Sequence, residues 1–439
     1  MQTILRLTLA VATAITLLTF NPNAVAQTYE TKPANPFFAN FEPLRAPLTD
    51  GLYLQPGDRL AIIGDSITEQ KMYSRIIETY LTVCVPQLKI TTRQLGWSGE
   101  TAMGFLQRMT NDCLWFQPTI ATLCYGMNDF HYRPYTAADG NWYSNNYNAV
   151  VCSLTNSGAR VILGSAGDVG KTPHWAQNTN LPTEVLNLSL CHFRNIDIGL
   201  AAQDKTRFAD VFWPMLVAGF DARQKYGSNY ALNGHDGVHP GWAGHLIMAY
   251  AFLKAMGLDG NIGTFTVDLG ARQALVSDGH TLDSFTNNTL TITSSRYPFC
   301  ATGAVDNDTS IRSGMSLVPF NQDLNRLTLV VKNGAAKKYG VTWGTETRTY
   351  TAQQLATGVN LAADFNVNPF SAAFSKVDAA VTAKQNYETH QIKELFHSSA
   401  AKTNLDEVAA ASEKERQPLV DAIAQAFKPV TYTLHIEAK

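Results

Sequence analysis

The stretch Arg59–Ser66, "RLAIIGDS", decides how the rest of the chain is read. Its apolar residues from Leu60 to Ile63 run without alternation, as in a strand covered on both faces, and Gly64-Asp65-Ser66 then breaks the run into a turn. The tetrapeptide Ser66-Ile67-Thr68-Glu69 fits a capping box, with the serine oxygen receiving the third helical N–H and the glutamate reaching back. Taken alone, Ser66 reads more readily as a helix cap than as a nucleophile. Nothing inside the stretch separates the two.

Working outward, strand-like and helix-like segments alternate. A helix is expected within Glu69–Cys84, a strand within Leu88–Gly96, a helix within Met103–Trp115 and a strand within Thr119–Asp129. There follow a helix in Tyr147–Gly158, a strand in Ala159–Gly167, a long helix over Thr183–Asp204, a fifth strand in Arg207–Met215 and a closing helix over Ala243–Gly257. Such alternation predicts an α/β, flavodoxin-like doubly wound parallel sheet over residues 52–258, preceded by an extended arm over 27–51.

Beyond Gly257 the period changes. "GTFTVDL", "NNTLTITSS", "NRLTLVVKN" and "KKYGVTWGTETRTY" alternate every second residue, as half-buried antiparallel strands do. Helices are expected near Ala372–Phe396 and Asp406–Phe427, before a last strand, "TYTLHIEA", that returns to the sheet. Residues 259–439 therefore read as a smaller β-rich accessory domain with a C-terminal helical hairpin. The lysine- and glutamate-bearing face of that hairpin reads as solvated.

Residues 1–26 carry one arginine, an apolar run and Ala24-Val25-Ala26, the layout of a cleavable secretory signal, so the mature chain is expected to be exported, periplasmic or extracellular, with no membrane span after cleavage. Thirty-four basic against 36 acidic residues, with no basic run, argue against nucleic acid as a partner. The six cysteines are too sparse and irregular for a disulfide scaffold, and their pairing is left open. His235 and His239 mimic a metal-ligand spacing, but Gly237 and Pro240 argue against a helix there, and no metal or organic cofactor is expected.

In a parallel α/β sheet, ligands meet the loops at the carboxyl ends of the strands. Ser66 stands there after the first strand, Gly99 ("GWSGETA") after the second and Asn128 ("YGMNDF") after the third. Far downstream, "NGHDGVHPGW" sets Asp236 three residues before His239 in a turn, where the carboxylate can orient the imidazole as a general base beside a serine. Together these residues describe an acyl-transfer site. Ser66 attacks, His239 moves the proton and Asp236 orients it, with the Ser66 and Gly99 N–H groups and the Asn128 amide around the oxyanion. Asp65 and Asp129 are expected to hold loops, while His131 and His245 are expected to pack or face solvent. Of the aromatic residues near the crevice (Trp97, Tyr125, Trp142, Tyr143, Trp175 and Trp242), one or two are expected at the site.

The blocks "GDSIT", "GWSGET", "GMND" and "DGVHP", in this order, resemble those of the SGNH (GDSL-like) hydrolases, serine esterases on a flavodoxin-like fold; the resemblance covers the first domain only. It implies Ser66 as nucleophile, Gly99 and Asn128 as oxyanion donors, Asp236 with His239 completing the triad, and ester hydrolysis without a cofactor. A small acyl group, acetyl foremost, on a carbohydrate or other small-molecule ester is the expected substrate. A lipase-like acylhydrolase or an acyltransferase shares the chemistry, and a non-catalytic carbohydrate-binding protein is the alternative from another class.

Overall fold

The computed structural model describes residues 28–439, and the expected secretory signal lies outside the described residues. The N-terminal region runs β1 (Arg59–Gly64), α1 (Ser66–Glu69), α2 (Tyr73–Cys84), β2 (Thr91–Gly96), α3 (Ala102–Asp112), β3 (Ile120–Cys124), α4 (Ala137–Asn156), β4 (Arg160–Gly164), α5 (Thr183–Gln203), β5 (Arg207–Ala209), α6 (Phe212–Tyr226) and α7 (Trp242–Ala255). All its strand pairs are parallel, in the order β2-β1-β3-β4-β5. This is the doubly wound order, and its topological switch lies between β1 and β3, where β1 delivers Ser66.

Four local expectations differ from what is observed. The helix expected as one piece over Glu69–Cys84 is two, α1 and α2, with a turn at Gln70–Met72. The fifth strand ends at Ala209 because Ser165 Oγ accepts from both Val211 N and Phe212 N, turning the chain into α6 with Pro214 harmlessly in its first turn. Helix α4 starts at Ala137, where Thr136 caps it, and not at Tyr147. The arm expected to be extended contains a 3-10 turn at Pro36–Phe38, and its phenylalanines are sewn to α6 by ring contacts of Phe37 and Phe38 with Phe220.

The C-terminal region continues with β6 (Asn261–Asp268), β7 (Gln273–Val276), β8 (His280–Thr286), β9 (Thr289–Ser294), α8 (Ile311–Leu317), α9 (Phe320–Asp323), β10 (Arg326–Lys332), β11 (Lys338–Trp343), β12 (Glu346–Thr351), α10 (Ala352–Thr357), β13 (Val359–Asn360) and α11 (Leu361–Asp364). It closes with α12 (Ser371–His390), a π-helical turn at Gln391–Leu395, α13 (Ser399–Thr403), α14 (Leu405–Ala426) and β14 (Val430–Ala438). Two sheets form, β13-β10-β6-β7 and β12-β11-β14-β9-β8. The final strand does return, to the middle of the second sheet, but the antiparallel expectation fails for β6 and β10, which pair in parallel across the long excursion between them. Period-two alternation reports burial of one face and is blind to strand direction.

Part of the hairpin face expected to be solvated, at Lys384 and Glu388, is instead buried in the seam between the two regions, while Lys376, Lys414 and Glu415 are exposed as expected. Strand β2 is an edge strand, yet its Thr92, Arg93 and Gln94 are buried. Lys384 Nζ and Arg416 Nη2 donate to Thr92 O at 2.8 and 2.9 Å, while Gln94 N donates to Glu388 Oε2 at 3.0 Å. Charged side chains thus satisfy the edge that another strand would otherwise pair with. Lys384 also pairs with Glu78 and Glu388 at 2.9 Å each, and Arg75 pairs with Asp378. Burial opposes ionisation of Glu388, but Lys384, Arg416 and Arg93 outweigh it and hold its pKa below the usual range.

All six cysteines are free thiols, and Cys124 is core as its apolar strand suggested. Among the described residues no helix is long and apolar enough to cross a membrane.

Candidate active site

The helix that follows β1 is capped by Asp65 and not by Ser66. Asp65 Oδ1 accepts from Ile67 N at 2.9 Å, and Ser66 is the first helical residue. The capping-box reading is therefore corrected, and the serine hydroxyl is left for another partner. That partner is His239 Nε2, 2.7 Å from Ser66 Oγ. The close seat of α1 over the strand ends depends on two glycines: a Cβ on Gly96 would lie 2.2 Å from Glu69 N, and one on Gly64 would lie 2.1 Å from Thr68 Oγ1.

His239 is positioned from its own turn. Asp236 Oδ1 accepts from Val238 N and His239 N, both at 2.9 Å, closing an Asx turn, while Asp236 Oδ2 lies 2.7 Å from His239 Nδ1. Partial burial opposes ionisation of Asp236, but the two backbone N–H groups and the His239 ring outweigh it and keep its pKa low. An ionised Asp236 accepts the hydrogen bond from Nδ1–H, so Nε2 is the lone-pair nitrogen and Ser66 Oγ–H donates to it. Both triad side chains on this turn keep contact with solvent, His239 at 28% and Asp236 at 33% exposure.

The other two predicted residues stand on neighbouring loops. Gly99 has φ +73°, with open space where a Cβ would go, so the glycine is required by backbone conformation. Asn128 Nδ2 donates to Glu100 O at 3.0 Å, which ties the β3 loop to the Gly99 loop. Asp129 makes a second tie, accepting from Ala102 N and Gly126 N at 2.9 Å each, so its expected loop-holding role is observed. Beneath them Arg108 grips Glu100 with Nε and Nη2 at 2.6 and 2.7 Å, and Tyr125 OH donates to the same carboxylate at 2.6 Å. Burial, with the neighbouring acids, pushes Asp65 up to about 7, and burial pushes Asp129 up to about 7 against its two backbone donors.

Of the aromatic candidates, Tyr125 and Tyr143 are wholly buried and Trp242 lies under the Arg75 guanidinium. Trp175 is the one at the triad: 40% exposed, its ring centroid 5.8 Å from that of His239, with Tyr132 edge-on at 6.0 Å. Tyr132 carried no sequence signal. His245 is fully buried, accepting from Tyr73 N at 3.3 Å through Nδ1, with Nε2 3.0 Å from Gln70 Oε1. Burial, assisted by His239, lowers its pKa to about 3, so it is a neutral packing histidine.

Two further residues come from the C-terminal region. Asp308 Oδ2 accepts from Ala231 N at 2.7 Å and its carbonyl accepts from Ala243 N at 3.1 Å, bracketing the segment that carries Asp236 and His239. Lys393 Nζ donates to Glu69 Oε1 at 2.7 Å. Their separations in sequence hide both.

Residues 62–247 match the GDSL-like Lipase/Acylhydrolase family. This region is a GDSL-like hydrolase domain. The matched span includes Ser66, Gly99, Asn128, Asp236 and His239, and the match supports an ester hydrolase. Among solved structures it is similar to a gut microbial diltiazem-metabolizing enzyme, 21% identical with a TM-score of 0.71 over 89% of this chain and 100% of that one. It is also similar to Axe2, an acetylxylan esterase from Geobacillus stearothermophilus, at 21% identity over 47% of this chain and 97% of that one, TM-score 0.39. LAE5, an alpha/beta hydrolase from the metagenome of Lake Arreo, Spain, is 21% identical over 47% of this chain and 98% of that one, TM-score 0.38. The first likeness extends the shared fold beyond the GDSL-like region. No curated protein sequence matches the chain.

Proposed function

We propose that the chain is an exported serine esterase that removes a small acyl group, acetyl foremost, from a carbohydrate ester, with a catalytic domain over 52–258 and an accessory domain over 259–439. The observation that carries the reading is the pair of 2.7 Å contacts from Ser66 Oγ to His239 Nε2 and from His239 Nδ1 to Asp236 Oδ2. Ser66 Oγ attacks the ester carbonyl as its proton passes to His239 Nε2, and Asp236 stabilises the imidazolium. The Ser66 and Gly99 N–H groups and the Asn128 amide, once drawn off Glu100 O, stabilise the oxyanion, each donor worth about 2.7–4 kcal/mol in comparable sites. His239 then gives its proton to the leaving alcohol, leaving an acyl-serine. Water, deprotonated by His239, attacks that ester and releases the carboxylic acid and free Ser66.

The carbohydrate preference is supported by Trp175, whose half-open ring beside His239 offers a stacking face to a sugar bearing the ester. Export is supported by the signal-like layout of residues 1–26. Hydrolysis of p-nitrophenyl esters of increasing chain length, beside release of acetate from acetylated xylo-oligosaccharides, tests the reading. Rates are expected to be greatest on acetate, and Trp175→Ala should raise KM for the oligosaccharide by about tenfold while changing p-nitrophenyl acetate little. Faster turnover of long-chain esters would contradict it.

A further inference from the structure

The loop that presents Gly99 is held from the C-terminal region. Glu69, the last residue of α1, receives both Ser98 N (2.5 Å) and Ser98 Oγ (2.6 Å) on Oε2, while Lys393 Nζ donates to Oε1 at 2.7 Å. Lys393 belongs to the π-helical turn after α12, a wide turn of the kind that re-aims side chains at functional places. Its ammonium also lies 5.2 Å from the centroid of Trp97, whose ring meets Arg108 at 5.0 Å and the edge of His397 at 5.1 Å. Trp97 and Ser98, the two residues before Gly99, are thus fixed by side chains from both regions.

We propose that Lys393 is a positioning residue for ester hydrolysis, acting through Glu69 and Ser98 to hold the Gly99 N–H toward the oxyanion; this rests on the assignment of Gly99 to the oxyanion site. Two physical effects combine. Pinning Ser98 at its N–H and its hydroxyl fixes the residue whose peptide carries the Gly99 N–H, so that donor needs no reorganisation when charge develops. The ammonium also neutralises a carboxylate that would otherwise oppose negative charge forming nearby, and the same pairing, with the Ser98 donors, outweighs partial burial to keep Glu69 ionised. The accessory region is then a working part of the hydrolase and not an appended module.

The test is a double-mutant cycle on the full chain with p-nitrophenyl acetate, using Lys393→Met, Lys393→Arg, Glu69→Gln and the Lys393→Met/Glu69→Gln pair, with Ser66→Ala as reference. Lys393→Met is expected to lower kcat about threefold to tenfold with KM changed less than about twofold, and Lys393→Arg to restore most of it. In the Glu69→Gln background, where a neutral amide needs no counter-charge, Lys393→Met should change kcat by less than about twofold. A loss that persists undiminished in that background would make Lys393 merely structural and overturn the proposal, as would an unchanged kcat in Lys393→Met. If hydrolysis survived Ser66→Ala, the site assignment itself would fall, which is a separate and recognisable failure.

Discussion

Two hydrogen-bonded polar clusters, one beside the β2 edge and one at the start of α1, do opposite things. In the cluster of Glu78, Lys384, Glu388 and Arg416, charged groups are closed off: Glu388 and Lys384 are buried to 1% exposure or less, and each oxygen of Glu388 has a donor. In the triad, Ser66, His239 and Asp236 form a chain, and the turn carrying His239 and Asp236 stays partly open to solvent. A saturated, buried network has no lone pair or proton left to give; it satisfies a sheet edge and joins two regions. A chain of contacts that ends in a partly buried hydroxyl has one to offer. Closure of its hydrogen bonds, more than charge content, separates a structural cluster from a reactive one.

The sharpest way to break this comparison is to disturb the triad without disturbing the fold. Asp236→Asn keeps the size of the side chain but presents the wrong partner to Nδ1, and kcat is expected to fall roughly 10⁴-fold. The thermal midpoint should move little, because the turn is solvent-facing. Steady-state kinetics beside a melting curve reads both.

The mirror experiment removes a charge from the closed cluster. Glu388→Ala leaves Lys384 and Arg416 without their shared carboxylate and strips Gln94 N of its acceptor, a loss of about 3–5 kcal/mol for a broken buried pair. Denaturant unfolding should register that loss while the activity of the still-folded fraction stays within about twofold.

These two clusters also mark how far the sequence could be read. The triad was legible because its cues are local: a glycine-acid-serine turn after an apolar strand, and an Asp-x-x-His turn bracketed by Gly237 and Pro240. The doubly wound parallel sheet followed from the alternation of continuous apolar strands with helices. The closed cluster was misread because Lys384 and Glu388, one helical turn apart, carry the same pattern whether the face meets water or β2; only the tertiary partner decides. Lys393 and Glu69 are 324 residues apart and Asp308 meets Ala231 across 77, so no spacing rule reaches them. The capping box failed differently: Asp65, one residue earlier, is the cap and accepts from Ile67 N, and Glu69 is taken by Ser98 and Lys393.

His245 gives the smallest of the expected effects and refines the comparison within one element, since it shares the loop-to-α7 segment with His239 yet is sealed. Its folded pKa of about 3 lies below the ordinary histidine value. The unfolded chain therefore binds the extra proton first, so the stability His245 contributes is present above about pH 6.5 and drains away as pH falls toward 3. His245→Asn should be less stable than the wild type at pH 7.5, with the gap narrowing as pH falls to about 4.5. A gap independent of pH would mean that the ring is not held neutral.

The most direct measurement of the central claim is covalent labelling by a fluorophosphonate alongside p-nitrophenyl acetate hydrolysis, in the wild type and in Ser66→Ala. The account predicts that the wild type is labelled stoichiometrically at Ser66 and turns over the ester, and that the variant does neither while melting at the same temperature. Labelling or hydrolysis that persists in a folded Ser66→Ala protein would contradict it.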